Sequence, residues 1–457
     1  MKKLSRRDTL KQMTFAGAAL AGAGLFGPNT AAAAWQPTNT SVPRGKIRFG
    51  VSGLGGRGIN WIGQLANHED IEVVAACDIT PAAVTAAKHF HPSVSYYDSL
   101  DKMLVHEIDA VLIATPAFKH ASDAIAALNA DKHVLSEVTA CWTMAEAVAL
   151  YEAAKRSKAI YSFGENYCYF YHMLEMKKLY SEGLIGTLNF ADCSYYAAYR
   201  EMWIPFCKHK FEWRNWMPQS YYSSHVVGPL LFATGLRPVA VSGHESPNSI
   251  PSRSIGKLTD EVASFAVKLS NGATAHFVNN FMSAASTFLW WFLSGEKGSM
   301  ENDRTGGGLH VFTKSGVAHS TPTAPHSAEK AAAAGHGGGD YFLVHDFLRA
   351  IKGDAPPAID VRTGLEMTMP GILAHRSALA DGQWLDVPDL DDPACRDRYR
   401  HDTATPFTVH NRPGDVSPSV LGTPAPDQGV WVDETIGDDP TAIAEKLTAY
   451  GLAGWKV

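Results

Sequence analysis

A glycine cluster, Gly53-Leu54-Gly55-Gly56-Arg57-Gly58, stands between the apolar run Ile47-Arg48-Phe49-Gly50-Val51 and a helical pattern over Ile59 to Ala66. Few folds use a G-x-G-x-x-G in that setting. The first glycine allows a tight turn out of a strand, and the second lets the backbone approach a pyrophosphate. The third brings the next helix onto the sheet with its N-terminus toward the phosphates. A second apolar run, Val73 to Cys77, ends at Asp78, twenty residues beyond Gly58. A carboxylate there accepts both ribose hydroxyls and repels a 2′-phosphate, which favours NAD over NADP. The pattern predicts an NAD site made of Gly53, Gly55, Gly56, Arg57, Gly58 and Asp78.

The same alternation continues downstream. Ala110 to Ala114, His133 to Leu135 and Ile160 to Phe163 read as buried strands, separated by helices over Pro81 to Phe90, Ala121 to Ala130 and Met144 to Lys155. Short continuous apolar runs alternating with helices imply a doubly wound parallel sheet, here a Rossmann domain over about residues 45–165. The period then changes. Leu188 to Tyr196, Val262 to Leu269, Ala273 to Asn280 and Thr287 to Leu293 follow one another as strands, with Ser270-Asn271-Gly272 as a turn. Helices follow over Tyr341 to Ile351 and Gly364 to Leu379. The expected fold class is α/β: the Rossmann domain, then an α+β domain over 166–385 with a mostly antiparallel open sheet. Residues 386–457 are rich in Pro, Asp and Gly and read as loop wrapping the body, with one short helix near Thr441 to Ala449.

The N-terminus carries Ser5-Arg6-Arg7, a weakly apolar run from Met13 to Phe26, and Ala31 to Ala34 before Trp35. A basic region, a short apolar core and an A-x-A site make a secretory signal over residues 1–34, and the paired arginines resemble a twin-arginine (Tat) signal. The expectation is a periplasmic or secreted protein that meets the Tat export machinery as a folded chain. With 40 Lys+Arg against 46 Asp+Glu and no basic stripe, nucleic acid is not an expected partner. The six cysteines show no C-x-x-C pair, and the 19 histidines form no H-E-x-x-H. Neither a disulfide framework nor a metal site is expected.

Two segments after the fourth and fifth Rossmann strands, Thr115-Pro116-Ala117-Phe118-Lys119-His120 and Ser136-Glu137-Val138, resemble the Gfo/Idh/MocA family of sugar-handling NAD(P) proteins. Its dehydrogenases usually carry a Glu-Lys-Pro at the second segment, and the lysine manages the proton of the alcohol. Here Val138 and Thr139 replace Lys and Pro. A valine can neither give nor take a proton. Glu-Val resembles instead the family's glycosidase branch, the NAD-dependent α-N-acetylgalactosaminidases of glycoside hydrolase family 109. Glu165-Asn166-Tyr167-Cys168-Tyr169, Tyr195, Trp213-Arg214, Tyr222-Ser-Ser-His225-x-x-Gly228-Pro229 and Gly335-His336-Gly-Gly-Gly-Asp340-Tyr341-Phe342 resemble further segments of that branch. The resemblance spans about residues 45–385. The segments from Tyr195 to Arg214 and from Arg214 to Tyr222 are shorter than in that branch. The stretch before Gly335 is compact, and the branch's later substrate tyrosine has no placed counterpart.

The resemblance implies a redox-neutral glycosidase acting on a small carbohydrate or glycoconjugate. The sugar is oxidised at C3, loses its C2 proton, eliminates the glycosidic oxygen, adds water and is reduced again. His225, Tyr169 and Tyr222 are then the proton-transfer candidates. Tyr195, Arg214, Tyr222, His225 and His336 would bind the sugar. Glu137, Val138, Asn166, Tyr222 and the stretch Ala117, Phe118, Lys119 and His120 would line the cofactor. Without the motifs, His225 reads as a core histidine, Tyr169 and Tyr195 as aromatic packing, Arg214 as an acid's partner and His336 as part of a turn. The rival enzyme reading is a periplasmic NAD(P)-dependent sugar oxidoreductase of the glucose-fructose type. Export favours the redox-neutral reading, since one NAD loaded before export then suffices. The aromatic run Trp290-Trp291-Phe292 is compatible with sheet core or with a homo-oligomer face.

Overall fold

The computed structural model describes residues 45–406, except 201–202, 204–212, 248, 250, 253–256, 258, 284–286, 305–307, 321, 323–330 and 332–333. The export signal and the helix expected near Thr441 to Ala449 lie outside the described residues.

The first sheet is parallel, with strand order β3-β2-β1-β4-β5-β6. Its strands are β1 (Ile47–Ser52), β2 (Ile71–Cys77), β3 (Ser95–Tyr97), β4 (Ala110–Ile113), β5 (His133–Ser136) and β6 (Tyr161–Phe163). Strands β4 and β5 are buried at every residue, as expected of strands covered by helices on both faces. The order reverses between β1 and β4, where an open α/β sheet leaves a crevice at its carboxyl ends. The glycine cluster leaves β1 at that crevice and opens the helix Gly56–Ala66. On the other side of the sheet order, the helix Met144–Arg156 starts with a capping box: Thr143 Oγ1 accepts from Glu146 N at 3.2 Å and Glu146 Oε2 accepts from Thr143 N at 3.1 Å. Such a cap stabilises a helix by about 1 kcal/mol.

The second sheet has the order β14-β13-β12-β11-β7-β10-β9-β8-β15. Its strands are β7 (Leu188–Tyr196), β8 (Pro238–Ser246), β9 (Val262–Leu269), β10 (Thr274–Asn280), β11 (Phe288–Gly295), β12 (Gly298–Asn302), β13 (Leu309–Thr313), β14 (Gly316–Ser320) and β15 (Leu385–Asp386). Only the β7–β10 pair is parallel among these, so the sheet is mostly antiparallel, as the sequence predicts. Burial alternates along β9 and β10, which gives one packed and one more open face. In β11 Trp291 is buried and donates its indole N–H to Val226 O at 3.2 Å, while Trp290 and Phe292 stand on the opposite face.

Two helices cover the packed face. Val361–Ala378 packs on β8, and Ser224–Thr234 packs on β7. The second is apolar nearly all round, which marks a core helix. Gly228 matters there: a Cβ at that position would lie 2.8 Å from Glu165 Cγ, so glycine lets the helix close on that side chain. The start of the tail corrects the loop expectation. Residues Pro393–Tyr399 form a helix, because Asp392 caps it by accepting from Ala394 N at 2.9 Å and Pro393 suits the first turn. Beyond it Arg400 grips Glu152 with two 2.9 Å bonds, docking this stretch on the Rossmann helix Met144–Arg156.

Candidate active site

The glycine loop is shaped for close backbone approach. Gly53 sits at φ +90°, and a Cβ there would meet Ala114 O at 2.6 Å; one on Gly58 would lie 1.7 Å from Gly53 O. Gly55 and Gly56 face open space within 4 Å of where a Cβ would be. Asp78 borders the loop, accepting from Leu54 N at 2.6 Å and from Thr80 N at 2.7 Å. An open glycine cradle, a helix N-terminus and a carboxylate at the end of β2 fit a dinucleotide. Asn166 fits it too. Its Oδ1 is buried and finds no hydrogen-bond partner among the described residues, which calls for a donor from a ligand.

Beside this loop lies a cavity of about 240 Å³. Of the residues singled out in the sequence, Arg57, Ala117, His120, Glu137, Val138, Asn166, Arg214, Tyr222, His225 and His336 line it. Arg57 bends inward over the Trp61 ring, 4.4 Å from its centre, and reaches Asp340 with two 2.8 Å bonds and Glu137 with one of 2.5 Å. Burial opposes its charge, but Glu137 and Asp340 outweigh burial and hold the guanidinium above its ordinary value. Glu137 also accepts from Trp61 Nε1 at 2.7 Å. Val138 forms wall, and its peptide bond to Thr139 is cis. Among the described residues no lysine lines the cavity.

The proton-handling group is a pair. His225, in the first turn of the helix Ser224–Thr234, places Nδ1 2.7 Å from Glu165 Oε1, and the Glu165 side chain is wholly buried. The Tyr167 ring stacks on the imidazole at 4.0 Å, and the Tyr222 ring meets it edge-on at 4.8 Å. A carboxylate on Nδ1 fixes the proton there and leaves Nε2 for chemistry. Burial holds the Tyr222 phenol above its ordinary value, so it stays protonated as a donor. Around these stand Trp213, from the Trp213-Arg214 motif, and Tyr199, Trp203, Met217 and Phe281, which the sequence motifs do not reveal; together they make a largely aromatic wall. The Arg214 guanidinium lies 4.3 Å over the Trp213 ring.

Several expected site residues stand elsewhere. Tyr169 is buried outside the cavity lining, with its ring against Phe232 and its hydroxyl donating to Asp346 at 3.1 Å. A buried phenol needs an acceptor, and the helix Gly339–Lys352 supplies one there. Tyr195 lies one layer behind the wall. Its hydroxyl is 3.3 Å from those of Tyr167 and Tyr199, and of these three Tyr199 reaches the cavity. Phe118 packs against Trp142 and Trp213, and Lys119 is half exposed and near Asp123. His120 lines the cavity, yet Thr139 O and Thr115 O lie 2.8 and 2.7 Å from its two ring nitrogens, so it clamps backbone. Glu165 and Asp340 are site residues that sequence reasoning missed, although both stand inside the segments singled out. Among the described residues no group of three or more His, Cys, Asp or Glu side chains could hold a metal.

Comparison with known proteins agrees with this geometry. Residues 47–165 match the Gfo/Idh/MocA profile, described as an oxidoreductase family with an NAD-binding Rossmann fold. Fold and loop thus define a Gfo/Idh/MocA-type Rossmann domain whose cofactor is NAD. Residues 319–395 match the C-terminal domain of glycosyl hydrolase 109, so a Gfo/Idh/MocA NAD-binding domain and a glycosyl hydrolase 109 C-terminal domain stand on one chain. A glycosyl hydrolase family 109 protein of Stenotrophomonas maltophilia (strain K279a) is 25% identical over 434 residues, covering 80% of this chain and 94% of its own. The alpha-N-acetylgalactosaminidase of Tannerella forsythia is 24% identical over 462 residues, covering 84% and 96%. Among solved structures, the WlbA dehydrogenase of Bordetella pertussis, crystallised with NADH and UDP-GlcNAcA, superposes with a TM-score of 0.64 at 22% identity, over 76% of this chain and all of that one. At that identity the likeness shows the fold alone.

Proposed function

We propose that this NAD-dependent glycosidase cleaves α-linked N-acetylgalactosaminides, and that it works outside the cytoplasm after folded export with its cofactor in place. One observation carries the reading. The cavity wall holds Val138 where the dehydrogenases it resembles bring a lysine, and proton transfer falls instead to His225 backed by Glu165.

Bound NAD supplies a two-electron acceptor that is restored within the same turnover. His225 Nε2 takes a proton from the sugar and returns it, while Glu165 keeps Nδ1 protonated and offsets the positive charge that develops on the ring. Stacking by Tyr167 and the edge-on contact of Tyr222 fix the plane of the imidazole. Tyr222 O–H donates to a sugar oxygen as charge builds on it. Arg214 and the aromatic wall hold the sugar hydroxyls and its apolar face and keep bulk water away.

The sugar identity is supported by the similarity to the alpha-N-acetylgalactosaminidase of Tannerella forsythia, and the location by the paired arginines of the N-terminus. The test is a panel of nitrophenyl glycosides on protein purified without added cofactor. The α-N-acetylgalactosaminide should be cleaved in preference to the α-galactoside and the α-N-acetylglucosaminide, with NAD released on denaturation. Failure on every glycoside, with stoichiometric NADH from a free sugar, would return the protein to the sugar oxidoreductases.

A further inference from the structure

Asp340 lies in the first turn of the helix Gly339–Lys352 with its side chain wholly buried. It nevertheless anchors three cavity-lining residues from three separate segments. Arg57 of the glycine loop meets it with both terminal nitrogens at 2.8 Å, Asn166 donates Nδ2 to Oδ1 at 2.7 Å, and His336 Nδ1 lies 3.0 Å from Oδ2. Burial alone would push this carboxyl up, but the Arg57 and His336 hydrogen bonds bring it well below its ordinary value. The group is ionised and can only accept.

An acceptor-only partner dictates the orientation of its neighbours. Asn166 must turn its NH2 toward Asp340, which fixes Oδ1 on the opposite side of the amide, and that oxygen is the buried atom with no partner among the described residues. Arg57 is fixed as well. With its Nη atoms on Asp340 and Nε on Glu137, it ties the glycine loop to a helix 283 residues further along the chain.

We infer that Asp340 is a positioning residue for the cofactor: by making Asn166 an acceptor, it gives the site a preference for a dinucleotide whose pyridine ring carries an N–H donor, the carboxamide of NAD. The inference rests on the NAD assignment. A ring substituent that accepts but cannot donate would leave Asn166 Oδ1 unpaired, which lowers binding by about tenfold.

The experiment is a competition. Purified protein is held in a large excess of equimolar NAD and 3-acetylpyridine adenine dinucleotide until the bound ratio no longer changes and resident NAD has exchanged, then desalted and denatured, and the released dinucleotides are weighed by mass spectrometry. The native protein should hold NAD over the analogue by about tenfold. Asp340→Ala, which frees the Asn166 amide to turn over, should bring that ratio close to one. Asn166→Leu leaves the Arg57–Asp340 pair intact and should do the same, so the result stands even where Asp340→Ala does not fold. A ratio near one in the native protein overturns the inference. So does an unchanged ratio in either variant, which would leave Asp340 a purely structural group. Protein that takes up neither dinucleotide contradicts the NAD assignment itself, and the inference with it.

Discussion

Glu165→Gln isolates the charge behind His225. The substitution preserves the shape of the pair, because Glu165 Oε1 accepts from Tyr167 N at 3.3 Å as well as facing His225 Nδ1 at 2.7 Å. Both neighbours are donors, so the new amide turns its oxygen to them and puts its nitrogen at the Oε2 position, which has no partner among the described residues. The histidine keeps its tautomer and loses only the negative charge that balances the imidazolium. Two unit charges about 4 Å apart interact by about 4 kcal/mol at an effective dielectric of 20, an upper bound for this pair. The difference between charged and neutral hydrogen bonds gives a floor of about 1 kcal/mol. A loss of about 2–3 kcal/mol in the transition state corresponds to a fall in kcat of roughly 30- to 150-fold. The assay is nitrophenol release at saturating glycoside, with bound NAD and the melting temperature measured on the same sample. A kcat near that of the native protein, with NAD content unchanged, would refute the role given to the pair.

Three further outcomes follow from the geometry. Tyr169→Phe removes a hydroxyl that touches Asp346 and not the cavity, so turnover should hold while stability in urea falls by about 1 kcal/mol; a collapse of kcat would restore Tyr169 to the catalytic set. Gly58→Ala drives a Cβ to 1.7 Å from Gly53 O, and folded protein carrying this change should yield no NAD on denaturation. His133 is buried and accepts from Ile160 N at 3.0 Å, and burial pushes its pKa down from 6.5 to about 4. A histidine depressed in the folded state contributes stability that is full above pH 6.5 and is lost as the pH falls toward 4, here by up to about 3 kcal/mol. Urea titrations across that range check it, and a flat profile would contradict it.

The parallel sheet was legible because burial on both faces writes a strand as an unbroken apolar run; β4, Ala-Val-Leu-Ile, has no polar residue to confuse it. Strands β12 and β14 carry Gly, Ser, Glu, Asn and His and lie toward one end of the second sheet, where neither apolar continuity nor clean alternation is required. The helix Ser224–Thr234 was not among the helices expected from the sequence; it contains Gly228-Pro229, of which the glycine admits Glu165 and the proline is tolerated in a helix packed by the core. At the site, sequence named Arg57, Asn166 and His225 through their motifs. It could not name their partners. Glu165 meets His225 across 60 residues and Asp340 meets Arg57 across 283, and such pairings are set by the docking of the two sheets. Tyr169 and Tyr195 show the converse: an aromatic segment does not say which of its rings reaches the cavity.

The central claim is that the reaction is redox-neutral and passes a proton through His225. The most direct measurement is glycoside cleavage in D2O on protein purified with its own NAD, following deuterium at sugar C2 by NMR and NADH by absorbance. Deuterium should appear at C2 of the released sugar with no net NADH, and His225→Ala should lose both exchange and cleavage. Cleavage with C2 fully protiated, or an oxidised sugar accumulating with one NADH per turnover, would contradict the claim.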